Sequence, residues 1–294
     1  MEKRIESKTS NTAEFTCLAR ALSFTENNEF YKSNDYISVI INNTLVKYLI
    51  KIPYIKNKIK SSFPAGMYEY VISRTKYIDR QLKTALNDGF EQILIFGAGF
   101  DSRGIRFHDI SDNSRIFELD APVTQNVKIG RYKEKGVNVP ENLIFVPIDF
   151  DRQSLSERLM ESGFKKGLKS FFLLEGLTMY LQPESVDSTF KIIREFSGTG
   201  SKVVFDYIYA SVVRGENLYE GEKELFQSVT KKSESFCFGI EKGNANGFLY
   251  KYDLEAIDIL DSNALEDMFF RDKDGKLAGK VNGTHCIVMA KKKD

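Results

Sequence analysis

The chain has 294 residues, of which 42% are hydrophobic and 28% are charged. Its formal net charge of +1 gives no electrostatic reason to expect a nucleic acid or a membrane as partner. The three cysteines, Cys17, Cys237 and Cys286, lie far apart, which argues against a disulfide framework and favours a reducing, cytoplasmic location. No run reaches 18 apolar residues and no Cys/His pair has metal-ligand spacing, so neither a membrane span nor a metal is predicted.

The first 66 residues are predicted to form a helical extension. Apolar residues at helical spacing follow a possible N-cap at Ser10. A second apolar run over residues 36–50 fits another helix, and Pro53 is expected to break that pattern. We expect residues 1–66 to form a lid over the functional site and residues 67–294 to form the main domain, beginning with a long helix over 67–87.

Predicted strands and helices alternate from Phe90 onward, which is typical of a parallel sheet with helices on both faces. The predicted strands end at Phe96, Leu119, Pro147 and Leu174, and a fifth covers residues 202–207. The predicted helices cover residues 102–108, 122–135, 154–162 and 183–196, with a helical stretch at 220–231. Residues 249–259 are predicted to hold a short helix and a strand. Residues 269–271 and 285–290 are predicted to form a closing pair of strands, which completes an α/β fold.

A glycine turn, Gly97-Ala98-Gly99, directly follows the first apolar strand. Such a turn lets the backbone approach a ligand closely. The next strand ends in Asp120, 23 residues after Gly97, where a carboxylate can accept both hydroxyls of a ribose. The pair predicts a site for a cofactor that contains a nucleoside.

The residues after the glycine turn indicate which cofactor binds. A dinucleotide site has a third glycine, but Ser102 occupies that position here. Asp101 would repel a pyrophosphate, whereas it suits a ligand with an ammonium group. S-adenosylmethionine has an ammonium, a sulfonium and a ribose and no phosphate, so the turn favours a methyltransferase over a dehydrogenase.

Two further strand ends carry groups suited to the same ligand, and ligands of parallel sheets bind beyond the carboxyl ends of the strands. Asp149 could accept a hydrogen bond from the adenine amino group while Phe150 packs on the ring. Glu175 could meet the ammonium or the sulfonium.

Each assignment has a structural alternative. Asp101 could instead cap the helix that follows the turn. Arg103 is expected to form an ion pair with a strand-end acid, and Arg74 would ordinarily be a solvated surface charge. Glu118 could be exposed at an edge, and it ranks below Asp120 for the ribose.

The remaining candidates concern the reacting partner. Tyr180 is expected to pack with its hydroxyl at the rim of the pocket, and it is the candidate substrate contact. His108 and His285 are expected to be incidental, because His285 begins a strand far from the cofactor motifs. No catalytic residue is identified, and the absence of an obvious histidine base favours a carboxylate or an acidic hydroxyl as methyl acceptor.

Several separated motifs resemble one family in the same order. They are Thr12–Phe15, Arg74–Asp79, Gly97–Arg103, Phe117–Pro122, Val146–Phe150 and Glu175–Leu181. With them the chain resembles the leucine carboxyl methyltransferase family of S-adenosylmethionine-dependent enzymes, in particular its bacterial branch of O-methyltransferases related to polyketide-tailoring enzymes.

The resemblance implies a Rossmann-like class I methyltransferase fold, with a mostly parallel seven-stranded sheet whose last strand is antiparallel. It also implies that Arg74 and the glycine turn hold the methionine end, and that Glu175 lies beside it. By the same resemblance Asp120 holds the ribose, and Asp149 and Phe150 hold the adenine.

The implied reaction is methyl transfer to a carboxylate or hydroxyl of a small molecule. Three alternatives stay open: a protein C-terminal carboxylate as acceptor, an NAD-dependent oxidoreductase, and a binding protein without catalysis. The oxidoreductase is disfavoured by Ser102 and by the lack of a hydride-relay histidine or a Tyr-x-x-x-Lys motif near the site.

Overall fold

One sheet organises the part of the chain that the computed structural model describes, which is residues 9–110, 113–150, 152–230 and 235–293. Its seven strands are β1 (Gln92–Phe96), β2 (Arg115–Asp120), β3 (Leu143–Pro147), β4 (Ser170–Leu174), β5 (Lys202–Ile208), β6 (Leu254–Leu260) and β7 (His285–Lys292). They lie in the order β3-β2-β1-β4-β5-β7-β6. Strand β7 alone runs opposite to the other six strands, which confirms the predicted sheet.

The helices before the sheet are α1 (Asn11–Phe24), α2 (Tyr36–Ile41), α3 (Thr44–Leu49), α4 (Pro53–Lys60) and α5 (Met67–Asn87). Those between the strands are α6 (Arg103–Arg106), α7 (Pro122–Glu134), α8 (Leu155–Glu161), α9 (Pro183–Phe196), α10 (Ala210–Arg214), α11 (Glu222–Thr230), α12 (Ala245–Tyr250) and α13 (Ser262–Phe269). Short 3₁₀ helices cover His108–Ile110 and Thr178–Tyr180. None of these helices has the length and apolar character needed to cross a membrane.

The central strands are apolar because helices cover both of their faces. All residues of β1 and β4 are buried, for instance Leu94 and Phe172, which are register partners. Phe96 at the end of β1 pairs with Leu119 of β2 and Leu174 of β4. The three strands therefore end level, so the residues that follow them share one edge of the sheet.

Three expectations about elements need correction. The predicted helix over residues 36–50 is divided into α2 and α3, and Pro53 begins α4, since proline fits the first turn of a helix. Residues 269–271 are not a strand, because Phe269 ends α13. The partner of β7 is β6. Residues 1–8, Lys231 and Asp294, which belong to predicted segments, lie outside the described residues.

The strand predicted within residues 249–259 is β6, and its place at the edge of the sheet, beside β7, was not foreseen. Its residues are mostly exposed or half-buried between the buried ends Leu254 and Leu260. Phe270, by contrast, is buried, so its apolar character comes from packing after a helix and not from strand pairing.

The first helix is tied to the glycine turn by a buried arginine. Arg20 Nε donates to Asp35 Oδ2 at 2.8 Å, and Nη2 donates to the Phe100 carbonyl oxygen at 2.8 Å. Cys17 and Leu22 of the same helix are fully buried. The N-terminal helices therefore belong to the packed structure.

Glu118 is not exposed at an edge, as the sequence had allowed. It is fully buried in β2 and accepts a hydrogen bond from Lys128 Nζ of α7 at 2.6 Å. Burial raises the pKa of Glu118 to about 7 although Lys128 acts to lower it. The pair fastens α7 to the sheet and does not line the site.

We predict that Lys128→Met destabilises the protein by about 3–5 kcal/mol, because it leaves the Glu118 carboxylate buried without its partner. The pKa of Glu118 already lies above the usual 4.5 in the folded state. The variant raises it further, so its stability relative to the wild type falls as the pH rises through about 7. Urea unfolding at pH 5 and pH 8 measures both effects.

Lys135→Met is the matched control, because Lys135 pairs with Glu134 at the surface and its loss should leave stability nearly unchanged. Equal midpoints for Lys128→Met and the wild type would contradict the prediction.

Candidate functional site

A cavity of about 770 Å³ opens at the carboxyl ends of the strands. Its lining contains every site residue that the sequence predicted: Arg74, Gly97, Ala98, Gly99, Asp101, Asp120, Asp149, Phe150, Glu175 and Tyr180. The structure thus brings these residues together, while their individual contacts with a ligand remain predictions. The volume lies in the usual range for small-molecule and cofactor sites.

The turn after β1 needs glycine for conformational and steric reasons. Gly97 and Gly99 have φ angles of +59° and +49°, in the left-handed region. A Cβ at Gly97 would lie 2.8 Å from Leu177 Cδ1. The turn is therefore a glycine cradle of backbone in which a larger residue would be strained and would crowd Leu177 or Ala13.

Asp120 lies at the end of β2 with its carboxylate against that cradle. Oδ2 accepts from the Gly99 amide, and Oδ1 accepts from the Ala121 amide at 2.6 Å. Burial raises the pKa of Asp120 to about 6, and the two amide hydrogen bonds oppose that shift. The carboxylate is held in a fixed orientation on the cavity wall.

The third strand end carries Asp149 and Phe150. The Asp149 amide donates to Gln153 Oε1 at 2.9 Å, and Asp149 Oδ2 lies 3.8 Å from Arg152 Nε. The ring of Phe150 is half-buried, with its centroid 6.3 Å from that of Phe96. An apolar face beside a carboxylate is the arrangement predicted for adenine.

Arg74 is buried in the wall of the cavity, so its interpretation as a solvated surface charge is wrong. Nη1 donates to Asp206 Oδ2 at 2.6 Å. Nε lies 3.1 Å from Glu175 Oε1 but has no hydrogen-bond partner among the described residues. Arg74 thus offers an unused, buried N–H group to a ligand with an anionic end.

Arg103 forms the predicted ion pair with a strand-end acid. Nη1 donates to Glu175 Oε2 at 2.6 Å and also to Asp101, while Nε donates to Asp79 Oδ1 at 2.7 Å. Burial is the largest single effect and acts to raise the pKa of Asp101 and of Glu175, but the surrounding cations, Arg103 foremost, together lower both. Asp101 also accepts from the Arg103 amide at 2.7 Å, so the alternative of a helix-capping role is realised as well.

These pairs belong to one continuous ionic network among the described residues, in which each cation touches at least two groups of the protein. The network consists of Arg20, Arg74, Arg103, Arg106, Asp35, Asp79, Asp101, Glu175 and Asp206. Four guanidinium groups face five carboxylates, which leaves one negative charge in excess. That excess favours a cationic ligand in the adjoining cavity.

Asp206 is a member of the network that sequence reasoning missed. It is fully buried in β5 and accepts from Tyr70 Oη at 2.8 Å, from Arg74 and from the Gly176 amide at 2.6 Å. A charged residue inside an apolar strand was the available signal, because such a residue requires partners.

The sequence also missed two segments of the lining. Ser10, Thr12, Ala13 and Thr16 border the cavity at the start of α1, and Ser235 and Cys237 border it from the C-terminal third. Thr12 Oγ1 donates to Tyr180 Oη at 3.4 Å, which joins α1 to the turn after β4. Helix α1 is therefore part of the cavity wall.

The residues present fit S-adenosylmethionine. The glycine cradle leaves room for a ligand, the unused Arg74 Nε suits its carboxylate, and the excess negative charge suits its ammonium and sulfonium groups. Asp120 and the Phe150 ring offer contacts for the ribose and the adenine.

Solved structures share this fold. A DUF574 family protein from Streptomyces avermitilis superimposes with a TM-score of 0.59 at 12% identity, over 99% of this chain and 100% of that one. A structure described as a "putative methyltransferase" from Thermobifida fusca YX gives a TM-score of 0.57 at 14% identity, over 95% and 94% of the two chains.

The fold and the site together define a class I, S-adenosylmethionine-dependent methyltransferase. The chain belongs to the leucine carboxyl methyltransferase family, whose model matches residues 13–194. The matched region begins in α1 and ends in α9, so it includes the cavity wall except Ser10, Thr12, Ser235 and Cys237.

Named relatives agree with this assignment. The "Putative S-adenosyl-L-methionine-dependent methyltransferase YktD" of Bacillus subtilis is 26% identical over 75% of this chain and 72% of its own length. A protein of Mycolicibacterium paratuberculosis with the same name, apart from the symbol, is 31% identical over 47% of this chain and 43% of its own length. The match thus covers less than half of the mycobacterial relative.

We predict that Asp206→Ala destabilises the protein by about 3–5 kcal/mol, because Arg74 is then a buried cation with only one ionic partner. Urea unfolding gives the difference. Asp258→Ala is the matched control, since Asp258 also accepts from a tyrosine, Tyr77, but is half-buried and pairs with no arginine among the described residues. Equal losses for the two variants would show that the network adds nothing to the tyrosine hydrogen bond.

Proposed function

We propose that this protein transfers a methyl group from S-adenosylmethionine to an oxygen atom of a small molecule. The observation that carries the proposal is the wall of the cavity, where a glycine cradle, an oriented carboxylate and a network with one excess negative charge meet. A phosphate-containing dinucleotide would meet the carboxylates of Asp101 and Glu175, which disfavours the oxidoreductase alternative.

Each group of the wall has a role in this proposal. Arg74 Nε and the glycine turn hold the methionine carboxylate, while Glu175 faces the ammonium. Asp120 accepts the ribose hydroxyls, and Asp149 and Phe150 hold the adenine. The arginine partners keep Glu175 ionised, because they lower its pKa.

The protein's contribution to the reaction is positioning and exclusion of water. When bound, S-adenosylmethionine supplies a methyl group on a positively charged sulfur. Transfer of that methyl group to the acceptor oxygen would break the carbon–sulfur bond, and the bonding electron pair would remain on sulfur. If the oxygen comes from a hydroxyl, its proton passes to solvent.

A small molecule is favoured over a protein C-terminus because α1 covers the acceptor side. The Thr12–Tyr180 hydrogen bond and the half-buried Phe236 ring, 5.4 Å from that of Tyr180, narrow this side of the cavity. We therefore propose that residues 1–66 act as a cover over the main domain, residues 67–294. The three free thiols agree with a cytoplasmic location, which belongs to the same proposal.

The proposal predicts that S-adenosylhomocysteine raises the melting temperature. A ligand at 100 times its dissociation constant stabilises the folded state by about 2.7 kcal/mol. NAD at the same concentration should have no effect. A shift with NAD alone would favour the oxidoreductase, and binding of the methyl donor without methyl transfer to any phenol, alcohol or carboxylate acceptor would favour the non-catalytic alternative.

A second prediction concerns Asp120. Asp120→Ala should weaken S-adenosylhomocysteine binding about 10- to 150-fold, because the ribose hydroxyls lose a charged hydrogen-bond acceptor. Below pH 6 the wild-type affinity should fall, because Asp120, whose pKa is about 6, becomes protonated. The variant should lack this part of the pH dependence. Calorimetric titration at pH 5, 6 and 8 measures both.

Asp187→Ala is the control, since Asp187 is a half-buried residue of α9 that pairs with Lys191 and accepts from Tyr252 Oη, outside the cavity wall. Glu118→Ala is unsuitable as a mild comparison, because Glu118 is buried and paired. Equal affinities for the wild type and Asp120→Ala would remove Asp120 from the ribose site.

A further inference from the structure

A second cavity of about 80 Å³ adjoins the first, and the two share residues of their walls. The shared residues are Thr12, Thr16, Arg74, Gly176 and Tyr180. Most of the remaining wall is apolar, namely Phe15, Pro64, Met67, Val71, Met179 and Leu225. The small cavity therefore suits an apolar group attached next to the reacting atom.

His285 also lines this small cavity. The sequence suggested that it lies far from the cofactor motifs, and this is wrong for a topological reason. Strand β7 is antiparallel, so its first residue, His285, pairs with Ile208 at the end of β5. The start of β7 thus lies at the same edge of the sheet as the carboxyl ends of the parallel strands.

A chain of hydrogen bonds determines which nitrogen of His285 carries the proton. Asn282 Oδ1 accepts from the Thr284 amide at 3.1 Å, while its Nδ2 donates to the Ala65 carbonyl oxygen at 2.8 Å. This fixes the orientation of the Asn282 amide. Thr284 Oγ1 also contacts Asn282 Oδ1, which can only accept, so the Thr284 hydroxyl donates to it.

His285 therefore carries its proton on Nδ1. Thr284 Oγ1 lies 2.8 Å from His285 Nδ1 and has already used its hydrogen, so it accepts from a protonated Nδ1. Burial lowers the pKa of His285 to about 3, and Arg74 adds to the effect, so the ring is neutral. Nε2 is then an unprotonated acceptor, and none of the described residues forms a hydrogen bond with it.

We propose that His285 Nε2 accepts a hydrogen bond from the hydroxyl of the methyl acceptor and thereby selects a phenol or alcohol over a carboxylate. The proposal rests on the function proposed above and defines its substrate class. A carboxylate has no hydrogen to donate to Nε2, and the excess negative charge of the ionic network also opposes it. The sequence, in which no histidine base was evident, had favoured a carboxylate or an acidic hydroxyl, and the proposal selects the hydroxyl.

The proton position can be tested without any substrate. The chain has two histidines, so nitrogen NMR of the imidazole rings gives two sets of signals, and His108→Phe assigns them. We expect His285 to be protonated at Nδ1 and unprotonated at Nε2 at pH 7. A signal from a protonated Nε2 would overturn the proposal. Thr284→Val should change this signal, because it removes the partner of Nδ1.

Substrate selection is tested with phenol and benzoate as probes, with the protein saturated in S-adenosylhomocysteine. Phenol should bind more tightly than benzoate and should shift the Nε2 signal. His285→Phe should weaken phenol binding about tenfold, since one hydrogen bond to a buried group is lost. His285→Gln, which retains an acceptor oxygen, should restore part of the affinity, and His108→Phe should leave it unchanged.

Benzoate binding as tightly as phenol, or an equal effect of His285→Phe on both probes, would contradict the selection of hydroxyls. The S-adenosylhomocysteine titration separates this result from failure of the proposed function. Without cofactor binding the methyltransferase proposal fails, whereas normal cofactor binding with no preference for phenol refutes only the role of His285.

Discussion

The buried ionic network is the interaction on which the rest of the site depends. It runs from Arg20 in α1 through Arg103 behind the glycine turn to Asp206 in β5, and so joins parts of the chain that are far apart in sequence. Placing ionised groups in a protein interior costs free energy that Coulomb attraction repays only with good geometry. The network therefore fixes the positions of acidic side chains at the cavity more than it stabilises the fold.

The site residues that the sequence could predict are those that directly follow the parallel strands. Parallel strands that end level bring the residues after them to one edge, so Gly97, Asp120 and Glu175 could be grouped without knowing any contact. The fold could be predicted for the same reason, because buried parallel strands are apolar along their whole length. These features depend on local sequence and on one simple rule of topology.

The remaining features depend on pairing between distant segments. The partners of Asp206 lie on α5 and after β4, and neither is indicated by the residues around it. His285 reaches the site only because β7 reverses direction, a fact that its own sequence does not encode. Glu118 was misjudged for a related reason, since its partner Lys128 lies ten residues away on a helix whose orientation was unknown.

The attachment of α1 has a consequence for synthesis of the protein. Arg20 contacts Phe100, and Glu14 of the same helix contacts Arg131, so α1 leaves the ribosome long before these partners exist. At about 5–20 residues per second, the interval between residue 20 and residue 131 is on the order of ten seconds. During that time the groups of α1 that later meet the glycine turn and α7 lack these partners. Until the sheet is complete, only the earlier helices α2 and α5 can cover α1, so its contacts with the glycine turn and with α7 form late.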